Sequence, residues 1–139
     1  MTVRRISDIV RHKHPLTLPA HATVCEACRQ MRERRIGAVL VVDEAQQLVG
    51  IFTGRDAVAL MAESRNPAET TLSKVMTKKP CSISTRHSAI DALRLMEDGG
   101  FRHVPIVENG KVVSIVSRGD FHGEEQERLD TETGYWERI

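Results

Sequence analysis

The apolar positions of the chain change their spacing in a fixed order. Residues 24–31 place apolar side chains at i, i+3, i+4 and i+7, which predicts an amphipathic helix. Residues 36–42 and 48–52 form two apolar runs rich in β-branched side chains, which predict two strands. Residues 57–61 return to helical spacing. Because a short extended segment precedes the first helix, the pattern predicts the element order β-α-β-β-α.

The same order returns in the second half of the chain. Residues 89–96 have helical spacing, and the apolar runs 104–107 and 112–116 are joined through Asn109-Gly110, a strong signal for a tight hairpin. Matching side chains lie 65 positions apart through the helix and the first strand, and 64 apart after the shorter hairpin loop. The matched pairs include Ala27 and Ala92, Met31 and Met96, Pro15 and Pro80, and Asp56 and Asp120.

This duplication predicts a mixed α/β (α+β) fold built from two β-α-β-β-α repeats. A repeat of about 60 residues buries little apolar surface alone, so we expect the two to pack around a pseudo-two-fold axis, with two related clefts between them. The expected boundaries are 5–62 for the first repeat, 63–73 for a linker, 74–123 for the second repeat and 124–139 for an acidic C-terminal tail. Tyr135-Trp136 in this tail either anchors against the protein or a partner subunit, or belongs to a disordered end.

Composition excludes several classes of partner. The 139 residues are 40% hydrophobic and 28% charged, with a net charge of +1, so neither a nucleic-acid nor a membrane surface is indicated. Only 4% are aromatic, too few for a base-stacking platform. The longest apolar stretch, residues 36–42, is far shorter than the roughly 18 residues of a membrane span. With three cysteines and no signal-peptide pattern, a cytoplasmic protein is expected.

A short motif ends the second strand of each repeat. GIFTGRD closes with Thr53-x-x-Asp56, and SIVSRGD closes with Ser117-x-x-Asp120. One interpretation is a capping box, in which the hydroxyl and the carboxylate satisfy backbone N–H groups at a helix start. The other is a ligand contact, since a carboxylate accepts strong charge-assisted hydrogen bonds from a diol. Duplication alone favours neither interpretation.

Other reactive side chains give weaker signals. Cys25 and Cys28 have the CxxC spacing of a redox pair or half a zinc site, but the second repeat has plain hydrophobes at both matching positions. They are therefore predicted to be small core residues. His12 and His14 lack a second clustered pair that would complete a metal site. Without a complete ligand set we expect no metal. Because no nucleophile elbow or Walker loop occurs, we expect no catalytic residue.

The repeated unit resembles a pair of cystathionine-β-synthase-type (CBS) domains, the regulatory Bateman module. The resemblance covers residues 5–123 and rests on TVCEACRQMRERRIGAVLVVD with GIFTGRD, and on SAIDALRLMEDGGFRHVPIVENG with SIVSRGD. It implies a non-enzymatic sensor that needs no cofactor and holds AMP, ADP or ATP in the clefts between the repeats. It also implies a homodimer paired through its helices, which signals by a change of shape to an effector protein that the sequence leaves unknown.

The resemblance assigns roles to the motif residues. It implies that Asp56 and Asp120 bind ribose, and that Thr53 and Ser117 assist at ribose or phosphate. It further implies that the opening segment of the opposite repeat lies beside the adenine. The pairs so nominated are Ser82 and Ile83 with Asp56, and Thr17 and Leu18 with Asp120.

Basic side chains differ between the repeats. In the family a basic pair at the position of Arg102-His103 often faces phosphate, whereas the first repeat has Gly37-Ala38 there. Each motif also carries one arginine, Arg55 or Arg118. The cleft that uses Asp120 is therefore expected to be better equipped for phosphate.

Two positions depart from the expected pattern. Leu40 stands where the second repeat has Pro105, and Ser114 replaces the glycine found at Gly50, where glycine would allow close approach of a ligand. The changed glycine motivates an alternative function, an interaction or scaffold module without nucleotide binding. NAD or S-adenosylmethionine as the ligand is a further alternative.

Overall fold

The computed structural model describes residues 4–10 and 14–121. The expectations for the acidic tail, for Tyr135-Trp136 and for His12 lie outside these residues. The helices are α1 (Ile6–Ile9), α2 (Val24–Arg34), α3 (Gly54–Ala62), α4 (Leu72–Val75) and α5 (Ala89–Gly99). The strands are β1 (Thr17–Pro19), β2 (Ala38–Val42), β3 (Leu48–Thr53), β4 (Thr77–Lys78), β5 (His103–Glu108) and β6 (Lys111–Ser117), followed by a 3₁₀ turn at Arg118–Asp120.

The predicted order of elements is confirmed in the first repeat, which runs β1, α2, β2, β3, α3. In the second repeat the helix and the hairpin strands are confirmed as α5, β5 and β6. The opening segment there is one parallel bridge between Ile83 and Ile106 and not a strand. The closing helix is represented by the three-residue 3₁₀ turn. The fold is mixed α/β, as the sequence predicts.

The described chain forms two compact units. The first-repeat unit contains residues 15–80 and 109–112. Its sheet has the order β1-β2-β3-β4, with β1 parallel to β2 and the remaining pairs antiparallel. Thr17 lies opposite Leu40, and Ala38 lies opposite Thr53. The start of β2 and the end of β3 therefore meet at one edge of the sheet. The core consists mainly of Leu16, Leu18, Val24, Ala27, Met31, Val39, Val41, Phe52, Leu60 and Leu72.

The second-repeat unit contains residues 4–10, 14, 81–108 and 113–121. Its core consists of Ile6, Ile83, Ala92, Met96, Val104, Ile106 and Val116. Ile6, from α1, is fully buried in this core. Backbone bonds fix the segment before α1, because Ala89 N donates to Arg4 O at 2.8 Å and Ile6 N donates to His87 O at 2.9 Å.

Two short helices have no counterpart in the sequence prediction. Residues 5–10 were expected to open the first repeat, but α1 packs in the second-repeat unit. Leu72 of α4 is buried in the first-repeat unit, although 63–73 was expected to be a linker. The backbone bonds that hold α1 have equivalents at α4. Val24 N donates to Thr70 O at 2.8 Å, and Leu72 N donates to Ala22 O at 2.9 Å. The duplicated unit is thus one short helix longer than the sequence pattern indicates.

The two long helices have matching starts and left-handed ends. Thr23 Oγ1 accepts from Glu26 N at 3.1 Å at the start of α2, and Ser88 N donates to Asp91 Oδ2 at 3.0 Å at the start of α5. The hydrogen bond from the Ser88 backbone lowers the pKa of Asp91, since it stabilises the carboxylate. The residues that follow α2 and α5, Arg35 and Gly100, have left-handed conformations with φ of 55° and 70°.

The glycine at Gly50 has a packing reason. A Cβ there would contact the Met76 side chain, with Cγ at 2.9 Å, because β4 pairs with β3 at this point. The Met76 side chain thus occupies the space beside Gly50, and close approach of a ligand at this glycine stays a prediction. Among the described residues, no helix is long and apolar enough to cross a membrane.

Candidate functional site

The first candidate position is the junction between β3 and α3. Thr53 is the last residue of β3 and the N-cap of α3. Its backbone N and its Oγ1 both donate to Asp56 Oδ2, at 2.8 and 3.1 Å. Asp56 N donates back to Thr53 Oγ1 at 3.4 Å. Both side chains are half-buried, and the bonds hold the carboxylate at the edge of the sheet where β3 ends.

The second repeat reproduces this arrangement at the end of β6. Ser117 N donates to Asp120 Oδ2 at 2.7 Å, and Ser117 Oγ donates to the same oxygen at 3.3 Å. Both residues are again half-buried. The two motifs therefore place the same two functional groups in the same relation, although one begins a nine-residue helix and the other a three-residue turn.

The capping interpretation is confirmed as local geometry. In each motif the bonds from the hydroxyl residue end on Oδ2 of the aspartate. An ionised carboxylate has two oxygens and about four lone-pair sites, so a cap that uses one oxygen does not exhaust its accepting capacity. The cap also fixes the side-chain rotamer of the aspartate, which is the preorganisation that a ligand contact requires.

The starts of the preceding strands lie beside these motifs. Gly54 N donates to Gly37 O at 3.0 Å, and Arg118 N donates to Arg102 O at 2.9 Å. Arg102 is exposed and His103 half-buried, so the basic pair lies next to the Ser117 motif within the second-repeat unit. The first repeat has no side chain at Gly37. The two units therefore differ in charge at equivalent positions, as expected from the sequence.

The two motif arginines have different surroundings. Arg55 is exposed on α3. Arg118 Nη1 lies 3.7 Å from Glu97 Oε2 on α5, and both side chains are partly buried. The charge of Arg118 is therefore balanced within the protein by a carboxylate of its own unit.

A third arginine makes a contact with the second motif that the sequence does not indicate. Arg4 Nη2 donates to the backbone oxygen of Asp120 at 2.9 Å, across 116 positions of sequence. The chain offers no local signal for this contact, because the two residues are so far apart in the sequence. Arg4 is half-buried.

The residues nominated beside the adenine lie in the units of their own repeats. Thr17 and Leu18 belong to β1, and Leu18 is 7% exposed in the core of the first-repeat unit. Ser82 is exposed, and Ile83 is 7% exposed in the core of the second-repeat unit. Their contact with Asp56 and Asp120 of the opposite repeats stays a prediction.

Cys25 and Cys28 lie one turn apart on α2, both half-buried and unbridged. Burial raises the pKa of Cys28, and the nearby Cys25 raises it further. Cys28 packs against the core of the first-repeat unit, which agrees with the prediction of a small core residue. Within residues 4–10 and 14–121, no cluster of three histidine, cysteine, aspartate or glutamate side chains could hold a metal ion.

Comparison with known sequences identifies both repeats. A sequence model of the CBS domain matches residues 6–63 and 72–124. The CBS domain-containing protein CBSCBSPB1 of Arabidopsis thaliana is 41% identical over 116 residues, which cover 83% of this chain and 21% of the plant protein. The chain therefore spans about a fifth of the length of this relative.

Solved structures share the fold over nearly the whole chain. A CBS domain protein from Pyrobaculum aerophilum complexed with AMP has a TM-score of 0.82 at 22% identity, and the match covers 91% of this chain and 98% of that one. The CBS domain pair of protein MJ0100, in complex with 5′-methylthioadenosine and S-adenosyl-L-methionine, has a TM-score of 0.75 at 25% identity, covering 90% and 98%.

Proposed function

The chain belongs to the CBS domain family, and from this premise we propose that it is a non-enzymatic regulatory module that binds an adenosine nucleotide, AMP, ADP or ATP. One observation carries the proposal. Two carboxylates, Asp56 and Asp120, are held in the same way at the ends of equivalent strands. A relative with the same fold is complexed with AMP, which supports this class of ligand.

The chemistry of the motif suits a ribose. The two hydroxyls of the sugar are hydrogen-bond donors on adjacent carbons, and a carboxylate accepts from both through charge-assisted bonds. Thr53 and Ser117 add a hydroxyl beside each carboxylate, where it can serve the ribose or the first phosphate. The caps hold Oδ2 of each aspartate and so orient both carboxylates at the ends of equivalent strands.

In this proposal, ligand binding is signalled by a change in the shape of the protein. A ligand shifts a protein between two states only by binding one of them more tightly. The family match covers CBS repeats alone, at residues 6–63 and 72–124, so we assign the output to an effector protein and not to a reaction.

Calorimetric titration with AMP, ADP, ATP and NAD tests the proposal. We expect saturable binding of at least one of the four, with a thermal shift of the same protein. S-adenosylmethionine belongs in the panel because a relative of the same fold is complexed with it. Binding of that ligand or of NAD alone would replace the nucleotide in the proposal. If no ligand in the panel binds, the proposed function is wrong.

A second candidate function is an interaction module without nucleotide binding. The observation that favours it is that both motifs are complete caps from their own residues. If the protein has this function, no ligand of the panel should shift its thermal midpoint. Substitutions in the repeated motifs should then change the stability of the protein and nothing else.

We also propose that the chain forms a homodimer through α3. Val58 and Met61 on this helix are 69% and 66% exposed, while Leu60 is buried. Beside them, α2 and α3 border a mostly apolar groove of about 370 Å³ that includes Cys28 and Ala57. Exposed apolar side chains next to an apolar groove are typical of a subunit contact.

Val58→Asp tests the dimer. We expect the wild-type protein to have the mass of two chains in sedimentation equilibrium at micromolar concentration, and Val58→Asp to have the mass of one, since the interface would have to bury an unpaired charge. Val113→Asp is the matched control, because Val113 is also an exposed apolar side chain, at 39%, but belongs to β6 and not to α3. A monomeric wild type, or equal loss in both variants, would contradict the assignment of α3.

A further inference from the structure

Cys25 and Cys28 lie at the start of α2, the helix that connects the parallel strands β1 and β2. Thr23 is the N-cap of this 11-residue helix, so Cys25 is its second residue. A CxxC sequence beside a β-α-β unit is typical of sites of thiol–disulfide exchange. The position of the pair in the fold, which the spacing alone does not give, is therefore one that favours exchange.

Cys25 has the surroundings of an attacking sulfur. Arg29 Nη2, one turn further along the same helix, donates to Cys25 Sγ at 3.6 Å. The positive end of the helix dipole acts on the same sulfur, because Cys25 is in the first turn. Both groups stabilise the negative charge that the sulfur carries during exchange. Glu26 of the same turn is exposed, so solvent and salt screen its opposing charge.

Cys28 has different surroundings. It packs against the core of the first-repeat unit. Burial raises the pKa of the Cys28 thiol, and the nearby Cys25 raises it further. A buried thiol reacts slowly with a reagent in solution, but it can still attack a sulfur that is held next to it. The two cysteines are therefore suited to separate steps of one exchange.

The helix also places the two cysteines within range of a disulfide. Residues three apart in an α-helix have Cα atoms about 5 Å apart, a separation that disulfides tolerate. Their Cβ atoms are about 5–6 Å apart, roughly 1 Å more than in a relaxed disulfide. Closing the bond would therefore strain the first turn, and strain makes a disulfide easier to reduce. Such a bond is suited to reversible oxidation and not to a permanent crosslink.

Cys25 can be reached from two sides of α2. With Cys28 it lines the apolar groove between α2 and α3. It also lines a second groove, of about 550 Å³, whose other lining residues are Thr23, Ala68 and side chains of α2. A small reagent can therefore reach Cys25 even when a partner subunit covers α3.

We infer that Cys25 and Cys28 form a redox-active dithiol, which closes to an intramolecular disulfide by exchange with a low-molecular-weight disulfide. The Cys25 thiolate attacks one sulfur of the small disulfide, which forms a mixed disulfide and expels one thiolate. Cys28 then attacks Cys25 Sγ and expels the second thiolate. Two electrons pass to the small disulfide, and the two cysteine protons leave with its two thiol products. This site goes beyond the proposed function and requires neither a nucleotide nor a second chain.

Mass spectrometry of the Cys81→Ser protein after incubation with oxidised glutathione tests the site. The substitution is needed because Cys81 is exposed and would form mixed disulfides of its own. We expect a single chain that has lost the two thiol hydrogens, carries no glutathione and is returned to the dithiol by dithiothreitol.

Two further variants in this background separate the roles of the sulfurs. Cys28→Ser should accumulate the mixed disulfide of glutathione on Cys25, because no second thiol can resolve it. Cys25→Ser should react with glutathione at Cys28 more slowly, by roughly tenfold or more, since the remaining thiol is the one whose pKa burial raises. The thermal midpoint of each variant shows whether the fold is intact.

Arg29→Gln tests the positioning role of the arginine. We expect alkylation of Cys25 by iodoacetamide at neutral pH, in the protein that also carries Cys28→Ser and Cys81→Ser, to slow by about two- to fivefold, the range for an exposed charge interaction. Arg32→Gln is the matched control, because it removes an equal charge from an exposed side chain of α2 that is a further turn away from Cys25. It should change the rate by less than about 1.5-fold.

The other possible products contradict the inference. Thiols that persist, a disulfide between two chains, or a stable mixed disulfide in the protein with both cysteines would show that Cys25 and Cys28 are not an exchange pair. Equal rates in the two single-cysteine variants would contradict their separate roles, and equal slowing by Arg29→Gln and Arg32→Gln would remove the role of Arg29. None of these results bears on nucleotide binding, so the inference and the proposed function can fail separately.

Discussion

Replacing Asp120 with alanine is expected to abolish one of two nucleotide sites while the fold persists. The carboxylate is half-buried and held by Ser117, so it is preorganised to accept both ribose hydroxyls. Loss of two charge-assisted bonds corresponds to a rise in Kd of roughly 100-fold or more. Calorimetry with the nucleotide that binds most tightly would show the number of sites falling by half. Asp56→Ala should remove the other half.

Asp91→Ala is the matched control for this result. Asp91 caps α5 through Ser88 N at 3.0 Å, as Asp120 accepts from Ser117 N, but we assign it no ligand. Each substitution should lower the free energy of unfolding by about 1 kcal/mol through loss of the cap. If Asp120→Ala changes stability as Asp91→Ala does and leaves nucleotide binding intact, Asp120 is a cap and no more.

Ile6→Ala is expected to lower the free energy of unfolding more than the loss of either cap does. Ile6 is fully buried among Ile83, Met96 and Val104 in the core of the second-repeat unit. Truncation of a buried isoleucine removes its transfer free energy and leaves a cavity, so the free energy of unfolding should fall by about 2–5 kcal/mol. Urea unfolding followed by circular dichroism measures the change.

Ile36→Ala provides the comparison for this variant. The same atoms are removed from a side chain that is 39% exposed, so the loss should be well under half of that for Ile6→Ala. Equal losses at the two positions would show that α1 is not part of the core. This would contradict the composition of the second-repeat unit.

The parts of the fold that the sequence predicts are those with long or repeated local signals. Residues 24–31 and 89–96 show two turns of helical spacing, and both lie in helices of 11 residues. Asn109-Gly110 predicts the β5–β6 hairpin because both residues adopt positive φ, 54° and 82°. The helices α1 and α4 are four residues long, which is about one turn, so no periodicity could reveal them.

The residues of the candidate site also differ in whether a local sequence signal reveals them. Thr53 with Asp56 and Ser117 with Asp120 are visible in the sequence because each pair is three residues apart and recurs. Arg4 is 116 positions from Asp120, and their contact depends on the packing of α1. The filling of the space beside Gly50 by Met76 was equally hidden, since it depends on the pairing of β4 with β3.

The placement of α1 has a consequence for any attempt to obtain one repeat alone. A fragment that ends near residue 63 would keep Ile6 but lack Ile83, Met96 and Val104 of its core, and a fragment that starts at residue 72 would have a cavity in place of Ile6. A cut before Leu72 likewise separates this side chain from Leu18 and Phe52, which belong to the same core. Neither half of the chain therefore contains a complete core, so expression of a single repeat should give a less stable or aggregating fragment.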